Sequence, residues 1–240
     1  MADPVIEYGF SAVARDPKVL LHGNINVKTP GPVLVDDISF PDSALAKQVE
    51  DYAKRELREQ TFNHSMRVYC FGQAIAREQF PEWKFSNETY FLCSLLHDIG
   101  TTSKNLRETL MSFEFYGGLI ALELLHQEFN APKGQAESVA EAIIRHQDLG
   151  ETGKITTVGK LIQLATILDN MGDHADLVHQ GTIDDVTAHF PRKQWSSCFA
   201  ATIREENELK PWAHTTALGE DDFPNGVLNN KLMEPYDAAL

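Results

Sequence analysis

Apolar residues recur at intervals of three and four over the middle of the chain, and this spacing is typical of amphipathic helices. The first such stretch runs from Leu45 to Leu57 and resumes after Phe62, until Pro81 interrupts the pattern. Later stretches with the same period lie at 91–96, 113–129, 136–147, 158–169 and 195–203. The sequence has no internal repeat and no clearly alternating strand pattern, so it predicts an all-α helical bundle.

Residues that favour helix ends lie at the borders of these stretches. Ser86 and Asn87 are suited to cap the helix that runs through Leu96, and Gly100 stands where a C′ glycine would end it. The pair Gly117-Gly118 lies inside a helical stretch, where the missing side chains allow another helix to approach closely.

The two ends of the chain lack this periodicity. Residues 1–40 predict an irregular N-terminal leader, and residues 210–240, rich in proline, glycine, asparagine and acids, predict a tail wrapped over the surface. We therefore expect a 1–40 N-terminal extension packed on the body and a 41–240 helical domain that includes the C-terminal tail.

Composition and charge exclude some classes of partner. The chain has 240 residues, of which 42% are hydrophobic, and this is enough to bury a core. Its 35 acidic and 21 basic residues give a formal net charge of -14. Such a surface repels phosphate backbones, so we expect no nucleic-acid partner. It also argues against a strongly anionic substrate, although a local basic pocket would override the global sign.

The cysteines and the hydropathy indicate a cytoplasmic protein. Three separated cysteines, Cys70, Cys93 and Cys198, fit a reducing compartment better than a disulfide framework. The first ten residues contain Asp3 and Glu7 and do not resemble a signal peptide. No run approaches about 20 apolar residues, so we expect no membrane span.

His97 and Asp98 are the first sign of chemistry, because they follow directly on an apolar helical segment, 91–96. Charged and imidazole side chains are rare after such a core segment. A buried aspartate without a partner costs several kcal/mol, on the order of the penalty for an unpaired polar group, or stays protonated. A metal ion would compensate the carboxylate and bind the imidazole nitrogen at the same time.

Two further ligands are predicted on other helices. His64 shares a helix face with Val68, Phe71 and Ile75, and Asp169 continues the buried stripe of its own helix. Two histidines and two carboxylates suit zinc, iron or manganese, and open coordination positions suit catalysis. Taken alone, His64 would be a core histidine and Asp169 a helix-end cap. The set favours a metal because it comes from three separate apolar stripes.

These residues carry a resemblance to a known family. The order His, His-Asp, Asp resembles the HD-domain superfamily of metal-dependent hydrolases, and 95–100 resembles its central signature. Longer segments resemble the fungal cyanamide hydratases: 61–65, 97–102, 112–118, 143–148, 164–170, 203–207 and 210–212. The resemblance extends over about residues 41 to 215.

The resemblance implies a zinc enzyme that adds water to cyanamide to give urea, with Fe2+ or Mn2+ as other metals that the ligands accept. His64, His97, Asp98 and Asp169 match the family's ligand positions. The implied fold is an HD-domain bundle, the implied substrate is a small neutral nitrile, and the implied assembly is a homo-oligomer.

The hypothesis for the mechanism is attack of metal-activated water on the nitrile carbon. His146 is the candidate proton donor to the developing nitrogen anion, although it could equally be an ordinary histidine at a helix end. Asp98 could relay a proton as well. Asn170, Thr102 and Glu114 are candidates for substrate binding, and each has a capping or ion-pairing alternative.

Three other functions fit parts of the sequence. An HD phosphohydrolase that acts on a nucleotide or another phosphate monoester would need cations near the metal, and Lys104, Arg107 and Arg145 could supply them. Many such enzymes place a lysine soon after the His-Asp-Ile-Gly motif, where this chain has Thr101 and Thr102. A non-catalytic HD module would have lost ligand positions that are all present here. Hydration of a different nitrile, or hydrolysis of a small amide, also fits.

Overall fold

Helices account for most of the structure. The computed structural model describes residues 3–22 and 27–237 of the chain. Its α-helices are, in order, α1 (Pro4–Glu7), α2 (Pro17–His22), α3 (Ala44–Glu56), α4 (Glu59–Gln79), α5 (Asn87–Leu96), α6 (Ser103–Glu108), α7 (Phe113–Glu123), α8 (Lys133–Ile144), α9 (Thr157–Met171), α10 (Gln180–His189), α11 (Trp195–Leu209), α12 (Asp222–Leu228) and α13 (Glu234–Asp237). The prediction of an all-α fold is confirmed.

Helices α4 and α9 lie side by side at the centre of the main core. The apolar face of α4 that the sequence predicts, with Val68, Phe71 and Ile75, is fully buried. The helix ends at Gln79, two residues before Pro81, because the proline ring cannot continue it. Most side chains of α9 are buried, so polar residues on the packed faces of α4 and α9, such as His64 and Asp169, are held in the protein interior.

The helix before the His-Asp pair begins as the sequence predicts, but it ends differently. Ser86 caps α5 by accepting a hydrogen bond from the Thr89 amide at 3.3 Å. The helix stops at Leu96, and Ile99–Thr101 form a 3-10 turn. The prediction that Gly100 is a C′ residue is wrong, because Gly100 lies inside that turn. A Cβ at Gly100 would lie 2.1 Å from the carbonyl oxygen of Phe113, so glycine is needed for close approach to the start of α7.

Close packing of α7 on α8 is confirmed at Gly118. A Cβ there would lie 2.5 Å from Cγ1 of Ile144 and 3.1 Å from the carbonyl oxygen of Ala140. Helix α7 continues into a π-helical turn over Leu124–Glu128, near the predicted end at Phe129. The two helices thereby bring Phe113 and the residues after Ile144 to the same side of the core.

The ends of the chain contain more regular structure than the sequence predicts. In the leader, strand β1 (Ala12–Ala14) pairs antiparallel with β2 (Lys154–Thr156), with Val13 opposite Ile155. Three residues are too few to display an alternating pattern, so the strand was not predicted. The tail includes α12 and α13, and Phe223 and Val227 of α12 pack against α11. The division into a 1–40 extension and a 41–240 domain stays a prediction, and residues 1–2, 23–26 and 238–240 lie outside the described residues.

Within the described residues, every helix is too short or too polar to cross a lipid bilayer.

Candidate metal centre

Four elements bring ionisable side chains to one point in the core. His64 comes from α4, His97 and Asp98 follow α5, His146 follows α8, and Asp169 comes from α9. Each of these side chains is at most 2% exposed. The convergence of imidazoles and carboxylates from separate helices, expected from the apolar stripes, is present in the fold.

Hydrogen bonds at Nδ1 fix the orientation of all three imidazoles. His97 Nδ1 donates to the carbonyl oxygen of Ser94 at 2.8 Å, and His146 Nδ1 donates to that of Ile143 at 2.7 Å. His64 Nδ1 donates to Asp169 Oδ2 at 2.6 Å. Because each acceptor lacks a proton, each Nδ1 carries the hydrogen and each neutral ring has a lone pair at Nε2. Burial lowers the pKa of His64 to about 4, so this ring is neutral at pH 7.

The free nitrogens point at each other and at Asp98. His64 Nε2 lies 3.1 Å from His97 Nε2, and Asp98 Oδ2 lies 3.4 Å from the latter and 3.7 Å from the former. Neither carboxylate oxygen of Asp98 has a hydrogen-bond partner among the described residues, although both are buried. His64, His97 and Asp98 can each offer one ligand atom, and these three atoms lie within 4.8 Å of one another. Lone pairs and an unpaired carboxylate at these distances repel one another unless a cation lies among them.

The electrostatics also favour a positive charge at this point. Burial alone would lower the pKa of His97, but the adjacent Asp98 carboxylate outweighs it and raises the pKa above its usual value. Burial alone would raise the pKa of Asp98, but the three imidazoles outweigh it, so the carboxyl group stays ionised. The donors are two imidazole nitrogens and one carboxylate, a set that suits Zn2+, Fe2+ or Mn2+. The residues present therefore fit a divalent metal ion.

Asp169 lies behind His64, on the side away from the ligand cluster. Its Oδ1 accepts from Arg67 Nε at 2.9 Å and from Arg192 Nη1 at 2.7 Å. Its Oδ2 accepts from His64 Nδ1 and from Arg67 Nη2, the latter at 2.8 Å. Burial would raise the pKa of Asp169, but the two arginines hold it far below the usual range. In these contacts Asp169 orients His64, and direct ligation of the metal by Asp169 stays a prediction.

Sequence reasoning missed the two arginines. Arg67 lies three residues after His64 on the same buried face of α4, and a charged residue inside an apolar stripe is a signal that could have identified it. Arg192 lies in the loop before α11 and reaches Asp169 only through the tertiary fold, so no local pattern indicates it.

The indole ring of Trp195 lies against one face of the His64 ring. The two rings are stacked with centroids 4.3 Å apart and planes 15° apart. The indole Nε1 of Trp195 donates to Asn170 Oδ1 at 2.8 Å. Asn170, predicted to bind substrate, thus uses its side-chain oxygen to hold Trp195, and a direct role with substrate stays a prediction.

His146 lies beside His97 and Asp98. Its Nε2 lies 3.8 Å from Asp98 Oδ1, and its ring meets those of His97 and Phe113 edge to face at 5.2 and 5.7 Å. Burial, followed by the neighbouring His97, lowers the pKa of His146. With Nδ1 held by a backbone carbonyl, only Nε2 is free, so the ring accepts a proton before it can donate one.

The other predicted substrate residues have structural contacts. Thr102 caps α6 by accepting from the Asn105 amide at 3.2 Å. Glu114 is fully buried; its Oε1 lies 3.2 Å from His214 Nδ1, and its Oε2 has no partner among the described residues. Glu114 therefore retains one free acceptor in the interior, whereas the Thr102 oxygen is already used by the helix.

The three cations proposed for phosphate binding are dispersed. Arg107 forms an ion pair with Glu205 on the surface, and Arg145 bonds with Asp148 and Glu141 at 3.3 and 3.4 Å. Lys104 lines a cavity between α3, α4, α6 and α11.

Comparison with known proteins agrees with this geometry. The HD domain family matches residues 61–171, a segment that includes His64, His97, Asp98 and Asp169. Two proteins of Saccharomyces cerevisiae, cyanamide hydratase DDI2 and cyanamide hydratase DDI3, are each 45% identical to the chain over 224 residues. The alignment covers 93% of this chain and 97% of each yeast protein.

Proposed function

The chain belongs to the HD domain family, together with the cyanamide hydratases, and from this premise we propose that it converts cyanamide to urea at a divalent metal. The observation that carries the proposal is the buried convergence of His64 Nε2, His97 Nε2 and the unpaired Asp98 carboxylate in such a relative. In enzyme terms the protein is a hydro-lyase.

The ligands that we propose are His64, His97 and Asp98, with Asp169 as a further ligand or as the residue that orients His64. Zinc is the proposed metal, because imidazole and carboxylate donors suit it, and Fe2+ and Mn2+ are the alternatives. When bound, such an ion supplies Lewis acidity, which brings the pKa of water from about 15.7 to near 7.

The chain's own residues then handle the protons. Nε2 of His146 accepts a proton from the attacking water, because it is the free basic nitrogen that faces Asp98. The new C–O bond forms at the nitrile carbon as one π bond of C≡N breaks, and the nitrogen takes the proton from His146, which gives isourea, HO–C(=NH)–NH2. Isourea becomes urea when its hydroxyl proton moves to the imine nitrogen. Asp98 also relays a proton, through Oδ1, the oxygen that faces His146. Help of this kind is worth about 100- to 10,000-fold in rate.

The buried setting suits a small neutral substrate. His97 and Asp98 are each only 1% exposed, so access is narrow, and Phe113 beside His146 makes one wall apolar. A phosphate monoester carries a strong negative charge and would have to lose its hydration shell to enter the centre. Arg107 and Arg145 do not compensate that charge, because both are paired with carboxylates elsewhere. The centre therefore suits hydration of a nitrile better than hydrolysis of a phosphate monoester.

An assay of the purified protein with cyanamide, with urea as the measured product, tests the proposal. A panel of phosphate monoesters runs beside it, and phosphate release without urea would overturn the assignment. His97→Ala should lose both the metal, measured by elemental analysis, and the activity. His189→Ala, which changes an exposed histidine, is the matched control and should keep both.

The role of His146 needs a separate measurement. His146→Ala should keep the metal but lower kcat by at least about 100-fold, the lower end of general acid–base catalysis. Unchanged turnover in a variant that retains its metal would remove His146 from the mechanism.

A further inference from the structure

We propose that the C-terminal segment 230–237 is a positioning element of the metal centre, in which Asn230 and Asp237 hold Asp169 and, through it, the His64 imidazole. Asn230 follows Asp169 by 61 residues, and the segment supplies none of the ligands proposed for the metal. The inference rests on the proposed metal site and is independent of the substrate that the site takes.

The segment is packed on the helical body at both of its ends. Met233 is fully buried in the main core, and its amide donates to Asn230 Oδ1 at 3.1 Å. Near the other end, the Tyr236 hydroxyl donates to Asp184 and accepts from Gln180 Nε2 at 2.8 Å, both on α10. The segment therefore has a fixed place, from which its polar side chains reach the interior.

Asn230 holds the backbone of Asp169 directly. Its Nδ2 donates to the carbonyl oxygen of Asp169 at 3.1 Å, and Arg192 Nη1 donates to the same oxygen at 3.0 Å. Asp169 lies in the last turn of α9, where carbonyl groups have no partner within the helix. The next turn leaves room for the contact, since a Cβ at Gly172 would lie 2.7 Å from Asn230 Oδ1.

Asp237 holds the carboxylate of Asp169 through the buried guanidinium of Arg192. Its Oδ1 accepts from Arg192 Nε at 3.0 Å and its Oδ2 from Nη2 at 3.3 Å. Ser196 Oγ accepts from the same Nη2 at 3.1 Å and donates to Asp237 Oδ2. The remaining nitrogen, Nη1, donates to Asp169 Oδ1 at 2.7 Å. Because a guanidinium is planar and rigid, fixing two of its nitrogens aims the third at Asp169.

This chain of contacts ends at a proposed metal ligand. Asp169 Oδ2 accepts from His64 Nδ1 at 2.6 Å, and this bond orients the ring and leaves Nε2 free. Loss of a partner that orients a ligating histidine weakens metal affinity by about 10- to 100-fold. Coupling between two binding events is reciprocal, so a segment that strengthens metal binding is itself held more firmly when the metal is bound.

Zn2+ affinity of the full-length chain, measured by competition with a chromogenic chelator, tests the first half of this coupling. We expect Asp237→Asn to bind Zn2+ about tenfold more weakly and Asp237→Glu to recover part of the loss. Glu234→Gln is the matched control, because Glu234 lies in the same segment and pairs only with the exposed Lys231, at 3.0 Å. Equal affinity of Asp237→Asn and Glu234→Gln would overturn the proposal, since a merely structural role lowers Tm without changing the Kd of the folded protein. A wild type that binds no Zn2+ would overturn the metal centre as well.

Limited trypsin digestion of the wild type tests the other half and needs no variant. Cleavage after Lys231 requires the segment to open locally, so Zn2+ should slow the appearance of the 1–231 product, measured by mass spectrometry, by about tenfold. Cleavage after Lys18, whose side chain is 74% exposed on α2, should proceed at the same rate with and without Zn2+. In Asp237→Asn the effect of Zn2+ on cleavage after Lys231 should disappear. Equal cleavage after Lys231 in both states of the wild type, or equal protection at both lysines, would overturn the proposal.

Discussion

Asp169 is the most heavily bonded side chain of the centre, since its two oxygens accept hydrogen bonds from four nitrogens. We predict that Asp169→Asn lowers the free energy of unfolding by about 3–5 kcal/mol, because it leaves the buried charge of Arg67 without a carboxylate partner and leaves Arg192 with Asp237 alone. Urea denaturation of both proteins in the presence of a chelator measures this effect without a contribution from metal loss.

Asp237 provides the matched control. It also pairs with Arg192, at 3.0 Å, but its side chain is 17% exposed. We expect Asp237→Asn to cost about 1 kcal/mol, as is usual for a partly solvated ion pair. If the two variants are equally stable, Asp169 does not have the role that its contacts indicate.

The buried thiols lead to a second prediction at this scale. Cys70 and Cys93 are fully buried, and burial raises the pKa of both thiols, whereas Cys198 is half-buried. The thiolate is the reactive form, so the native protein should react with an aromatic disulfide reagent at Cys198 only. Three thiols per chain should react after denaturation, and a second fast thiol in the native state would contradict the packing.

For single residues, the sequence was most informative where the local pattern and the chemistry coincide. His64, His97 and Asp98 interrupt apolar helical stripes, and this alone indicates that they point into the core. The tautomers could not be predicted, because they depend on the acceptors at Ser94, Ile143 and Asp169. The contact of Asn170 with Trp195 could not be predicted, because the two residues are 25 positions apart in the chain.

At the level of helices, the contact of α7 with α8 has little room for an added atom. We predict that Gly118→Ala destabilises the protein by about 1–3 kcal/mol, because the new methyl group overlaps the side chain of Ile144. In a double-mutant cycle, Ile144→Ala should relieve part of this cost, since it removes the atoms that the methyl group meets. Additive effects of the two substitutions, measured by chemical denaturation, would show that the helices do not meet at Gly118.

The comparison of Gly100 with Gly118 shows where element-level prediction succeeds and where it fails. A glycine pair inside a helical stretch indicates close packing, and this is found. Gly100 follows a helix and therefore resembles a terminating residue, but its actual constraint is the carbonyl oxygen of Phe113, 13 residues later. Long helices such as α4 are evident from their period and from Pro81, whereas β1 and β2 have three residues each and depend on each other.

For the whole molecule, the metal centre joins elements that are distant in the chain. Helices α4 and α9 supply His64 and its partner Asp169, and the segments after α5 and α8 supply the remaining side chains. A cation there compensates one carboxylate and the lone pairs of the imidazoles, so it should stabilise the arrangement of all four elements. Any ligand that binds only the folded state raises stability in proportion to the logarithm of its concentration over Kd, about 2.7 kcal/mol at 100 times Kd.

We therefore predict that removal of the metal lowers Tm by roughly 5–10 °C, since about 1 kcal/mol corresponds to roughly 2–4 °C for a chain of this size. Differential scanning calorimetry with and without a chelator measures the shift, and added Zn2+ should reverse it. His97→Ala should be insensitive to the chelator, whereas His189→Ala should respond like the wild type. If the wild type, depleted of metal by elemental analysis, melts at an unchanged temperature, then the convergent side chains are stable without a cation. The physical basis for the metal centre would then fail.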